Sequence, residues 1–157
     1  MLFRSNGHYA AFKKTYAQFQ VDDRHDLEVW MNANLPAGGI VAQDSPVGLP
    51  DPEHNKQKGM KREFSQTVLG SEFAADLGTL DELRAKGVRY VATTPKRSVR
   101  YTGGEMVPTA TAKEEFERRK AFYTALPKQA KLLKQWLPAE IDTLHPGLEL
   151  YDIGAGQ

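Results

Sequence analysis

The stretch GTLDELRAKGVRYVATT, residues 78–94, constrains the fold of this chain more than any other. Thr79 with Glu82 three residues on has the form of a capping box, in which a hydroxyl and a carboxylate each take up a backbone N–H at the start of a helix. Gly87 suits the left-handed position that ends a helix, and VRYVATT after it is rich in residues that favour strands. A capped helix that hands over to a buried strand in so few residues is half of a layered α/β unit.

The rest of the chain is compatible with that unit. Asp22 or Asp23 can cap a helix whose apolar positions Leu27, Trp30, Met31 and Leu35 recur at three to four and stop before Pro36. Residues 40–43 read as a short buried strand, 44–61 as a long polar loop, and Thr67, Val68 and Leu69 as a strand weakened by Gly70. Residues 95–110 read as a second loop. Thr111 with Glu114 repeats the capping-box spacing and predicts a long helix through Phe116, Phe122, Tyr123, Leu126, Leu132, Leu133 and Trp136, ended or kinked near Leu126 by Pro127. His145, Pro146 and Gly147 make a turn, and residues 148–153 form the last strand. Residues 1–21 form an N-terminal arm or short helix, with Phe12, Tyr16 and Phe19 on helical spacing, and 154–157 form a flexible tail. The pattern predicts one α/β domain over residues 22–153, a small Rossmann-like three-layer fold with a short, at least partly parallel sheet.

A chain of 157 residues can bury a continuous core without staples. The absence of cysteine excludes thiolate nucleophiles, disulfides and Cys-based zinc sites. A net charge of +1 gives no overall field to draw nucleic acid, so none is expected as a partner. No window approaches the roughly 20 apolar residues that span a bilayer, and MLFRSNGHYAAFKK lacks the apolar core of a secretory signal. His8, His25, His54 and His145 are scattered, no metal or other cofactor is expected, and neither a Gly-x-Ser-x-Gly elbow nor a P-loop occurs.

If the strands at Ile40 and Val88 are parallel neighbours, Gln43, Asp44, Thr93, Thr94, Lys96 and Arg97 gather at their carboxyl ends, where open α/β sheets bind ligands. The candidate ligand-binding residues are Asp44, Thr94, Arg97, Arg100 and Tyr101, with an arginine to grip a phosphate or carboxylate. From Arg118 to Lys134 there are six basic residues and no acidic one. Lys128, Lys131 and Lys134 recur every three residues, which on a helix is one stripe, and such a stripe suits contact with an anionic lipid surface.

Two resemblances add expectations. The ending LELYDIGAGQ looks like the first glycine-rich strand and turn of class I methyltransferases that bind S-adenosylmethionine, which implies an incomplete module of that kind. In order, AQDSPVGLPDP, GTLDELRAKGVRYVATTP, EEFERRKAFYTALPKQAKLLKQW and HPGLELYDI resemble the soluble C-terminal domain of the dolichyl-phosphate-mannose-protein mannosyltransferase superfamily and its bacterial lipid-linked sugar relatives. The matching features are Asn34 to Gly38, Gly87 to Val91, Phe122 with Tyr123, and Leu148 to Tyr151. This resemblance implies a non-catalytic, extracytoplasmic accessory domain beside a membrane-embedded glycosyltransferase part, aiding acceptor or lipid-linked donor recognition, with no activity in this chain alone. The other expectation is a stand-alone cytoplasmic α/β protein that binds a nucleotide or other anionic small molecule.

Overall fold

A computed structural model describes Lys13, Tyr16 and residues 22–50, 63–104, 108–141 and 143–154. Helix α1, Asp23–Asn34, starts at Asp22, whose carboxylate accepts the Arg24 N–H at 3.0 Å, and ends at an extended Leu35 ahead of Pro36. Strand β1, Ile40–Asp44, follows, and β2 is Thr67–Ser71. Helix α2, Leu80–Ala85, carries the full capping box: the Thr79 hydroxyl accepts from Glu82 N–H, and Glu82 accepts from Thr79 N–H. Gly87 has φ +79°, a left-handed turn that opens strand β3, Val88–Thr93. Helices α3, Pro95–Thr102, and α4, Lys113–Gln129, come next, and strands β4, Lys131–Trp136, and β5, Leu148–Asp152, close the chain.

The five strands form one sheet in the order β2-β1-β3-β5-β4. Strand β1 lies parallel to β2 and β3, while β5 runs antiparallel to both β3 and β4. One face of the sheet packs Val41, Val68, Tyr90, Leu148 and Leu150 against Leu27 and Met31 of α1. The other packs Ala42, Val91, Tyr151 and Ile153 against Leu80 and Leu83 of α2, Tyr101 of α3, and Phe122, Tyr123 and Leu126 of α4. The molecule is therefore a three-layer α/β domain with a mixed sheet.

Several local expectations are corrected. Residues 95–102 are helix, not loop: Pro95 stands in the first turn, where its missing N–H costs nothing and its fixed φ suits the helix. Thr111 and Glu114 do not form a capping box; Thr111 lies in a short 3₁₀ turn, Ala110–Ala112, and α4 begins at Lys113, behind an N-cap residue, Ala112, that makes no side-chain capping bond. Pro127 does not stop α4 at Leu126, because the helix carries it inside its last turn and ends at Gln129. The predicted helix through Leu132, Leu133 and Trp136 is instead strand β4 at an edge of the sheet.

That correction also dissolves the lysine stripe. Lys128 lies in the last turn of α4, whereas Lys131 and Lys134 sit on β4 opposite Asp152 and Leu150. A register shift between Leu132 and Lys134 puts one extra residue into β4, so residues three apart share a strand face and imitate helical spacing. The long loop beyond residue 50 and most of residues 1–21, except Lys13 and Tyr16, lie outside the described residues, as do the last three residues of the glycine tail. Among the described residues no helix is long and apolar enough to cross a membrane.

Candidate functional site

Because β1 and β3 are parallel, their carboxyl ends meet at one edge of the sheet and bring Asp44 beside Thr93 and Thr94. Asp44 has no exposed surface. Its carboxylate accepts from the Ala74 N–H at 2.7 Å, the Tyr123 hydroxyl at 2.7 Å, the Thr94 N–H at 3.3 Å and the Thr93 hydroxyl. Burial pushes its pKa above the ordinary carboxylate value, against the pull of these donors. Burial, followed by the neighbouring Asp44 charge, likewise raises the Tyr123 phenol. Asp44 thus ties β1, β3, the turn after β2 and α4 together from inside, and offers no free oxygen to a ligand in solvent.

Tyr101 is also turned inward. Its ring stacks on Tyr123 with centroids 5.7 Å apart and meets Phe73 edge to face at 5.5 Å, while its hydroxyl accepts from Arg119 at 3.2 Å. Arg119 grips Asp76 through two nitrogens, at 2.9 and 2.8 Å, and lies over the Phe73 ring. The pair of Asp44 and Tyr101 belongs to the core, although both are at the expected edge of the sheet.

Thr94, Arg97 and Arg100 do come together. They line a cleft of about 410 Å³ with Arg24, Pro46, Lys96 and the connection that follows β4. Thr94 occupies the N-cap position of α3, yet its side chain makes no capping bond, and its buried Oγ1 has no hydrogen-bond partner. The helix dipole adds a positive end at the same point. Arg97 donates to Glu72 at 3.3 Å and stacks on Phe73, which fixes the guanidinium at the rim. Arg100 is exposed and has no ion-pair partner among the described residues. Arg24 is held by Asp22 through two bonds, at 2.9 and 2.8 Å, and this arginine keeps the Asp22 carboxyl below its ordinary pKa. The far wall is fixed by His145, whose Nδ1 meets Asp23 Oδ1 at 2.8 Å, and by the Asp23 N–H, which donates to Leu144 O at 3.1 Å.

Arg24 and the wall at Thr143 and Pro146 escaped the sequence reading. Arg24 had a signal: α1 starts beside the carboxyl ends of the strands, so a residue in its first turn points to the same edge. The contribution of residues 143–146 depends on how a chain returning from β4 is folded, and no local pattern encodes that.

Elsewhere, a groove of about 360 Å³ between the start of α2 and α4 has an apolar floor of Ala75, Leu80, Ala121, Phe122 and Ala125. Its charged rim residues are committed, Asp81 to Arg84 and Arg118 to Asp76. Among the described residues no three metal-ligating side chains converge. Gly154 leaves β5 at the end of the sheet opposite Asp44, because β5 is antiparallel to β3.

No family model matches this chain, and no curated protein or solved structure matches it.

Proposed function

We propose that this chain is a binding domain that takes a small anionic molecule, through its phosphate or carboxylate, in the cleft between Arg24 and α3. The observation that carries this reading is the unused, buried Thr94 hydroxyl at the start of α3, with Arg97 about one turn and Arg100 about two turns beyond it. A hydroxyl, a helix N-terminus and guanidinium groups are complementary to a dianion in charge and in hydrogen-bond direction. The resemblance to soluble domains of lipid-linked sugar glycosyltransferases supports an accessory setting, in which the anion is the phosphate of a lipid-linked donor and chemistry belongs to a membrane-embedded partner.

The test is an amide NMR titration with inorganic phosphate, AMP and a short-chain polyprenyl phosphate. Saturable shifts confined to residues 94–100 and the start of α1 are expected. Arg100→Ala should weaken binding by about 1.5–3 kcal/mol, the range for a hydrogen bond to a charged group. Preference for the prenyl phosphate favours the accessory setting, and preference for AMP favours a stand-alone nucleotide binder. No saturable shift with any of the three, or wild-type affinity in Arg100→Ala, overturns the reading.

A further inference from the structure

We propose that a second cleft, on the other side of α3, binds a neutral sugar-like ring. The cleft measures about 430 Å³, within the size range of small-ligand sites, and it is independent of the anion cleft. It lies between α3, α4 and β5, and its lining is unusually rich in hydroxyls. What these hydroxyls present to a ligand is set by where their hydrogens already go.

Ser98 donates to the Pro95 carbonyl at 3.2 Å and Thr102 to the Ser98 carbonyl at 3.0 Å. Thr93 and Tyr123 both donate to Asp44. Tyr151 donates to Glu149 Oε2 at 2.9 Å, and the Gln135 amide donates to Glu149 Oε1 at 3.0 Å. The Thr93 and Tyr123 hydroxyls are spent on the buried Asp44. With the Ser98, Thr102 and Tyr151 hydrogens committed inside the protein, what these three hydroxyls have left is acceptor capacity, and each carboxylate oxygen of Glu149 keeps acceptor capacity too. The site therefore selects a ligand that brings several O–H donors of its own.

Charge narrows the class. Lys128 stands on the rim and balances Glu149, so the cleft has no net charge that would favour a free cation. Pro127, exposed beside the buried Leu126 and Tyr151, supplies an apolar edge against which the C–H face of a pyranose can lie. Glu149 is well placed to choose between epimers: β-pairing opposite Thr93 fixes its backbone, and two donors fix its carboxylate, so it can accept from a pair of neighbouring hydroxyls in only one arrangement.

Neutral methyl pyranosides of gluco, manno and galacto configuration, titrated into the labelled protein, test this. Saturable amide shifts are expected at Thr102, Thr124, Glu149 and Tyr151, with one configuration preferred. Glu149→Gln should weaken binding at least tenfold. Thr124→Phe, a change at an exposed helix position that fills the cleft, should abolish it, and Arg100→Ala in the anion cleft should leave it unchanged. The proposal is overturned by the absence of saturable shifts at these residues, by shifts that persist in both Glu149→Gln and Thr124→Phe, or by ethylammonium binding more tightly than every pyranoside.

Discussion

Asp44 is held between two opposing effects, a desolvation that favours its neutral form and four donors that favour its charge. Desolvation prevails, and the folded-state pKa lies above the unfolded one. A carboxyl shifted in this direction contributes stability that is fully present below the unfolded pKa and is lost as pH rises through the folded value. Compared with Asp44→Asn, which does not titrate, the wild-type chain should therefore lose relative stability as pH rises from the ordinary carboxylate range, and then level off. Urea midpoints of both chains over a pH series measure this, and a wild-type chain that gains on the variant with rising pH would show that the donors win. Tyr123→Phe removes one donor from the buried carboxylate. It should cost about 1.5–3 kcal/mol at a pH where Asp44 is ionised and less where it is protonated, as read from the same melts.

At the scale of the element, what was legible in the sequence was what is written locally. The Thr79 capping box, the Gly87 turn and β3 are encoded by residues that touch one another, and all three are present. Thr79→Ala should cost about 1 kcal/mol of stability in a denaturant titration, whereas Thr79→Ser should cost far less, because it keeps the oxygen that caps α2. Helix α3 was missed because it is short and polar, and only its opening proline announces it. Strand β4 was misread because its extra residue converts a strand period into a helical one, and only pairing with β5, twelve or more residues downstream in sequence, exposes the difference. The candidate site divides in the same way. The rule that ligands sit at the carboxyl ends of parallel strands places Thr94, Arg97 and Arg100 at one edge, where they do line one cleft, but it could not tell that Asp44 and Tyr101 point inward, since their partners Ala74, Tyr123 and Arg119 come from distant segments.

For the whole molecule, the question is whether two cores on opposite faces of one sheet unfold together. The chain has two tryptophans, and both lie on the α1 side: Trp30 and Trp136 pack edge to face, with centroids 6.5 Å apart, against the core that holds Leu27 and Met31. The core under α2 and α4 contains no tryptophan, so fluorescence reports one layer while far-ultraviolet circular dichroism reports both. Leu126 belongs to the tryptophan-free core and is almost wholly buried, and Leu126→Ala should remove about 2–5 kcal/mol through lost transfer energy and the cavity it leaves. The central strands are shared, with Val91 facing one core and Tyr90 and Ala92 the other, and Asp44 bonds the two strand ends to α4. A perturbation in one layer should therefore reach the other through the sheet. Leu126→Ala is expected to shift the fluorescence midpoint in urea by as much as the circular dichroism midpoint, with the slope of each transition unchanged. A fluorescence transition that stays at the wild-type midpoint while circular dichroism moves would mean that the α1 layer and the α4 layer are separate cooperative units. In that case the cleft of Arg24, Thr94 and Arg97, walled by α1 on one side and α3 on the other, would span a boundary along which the molecule opens.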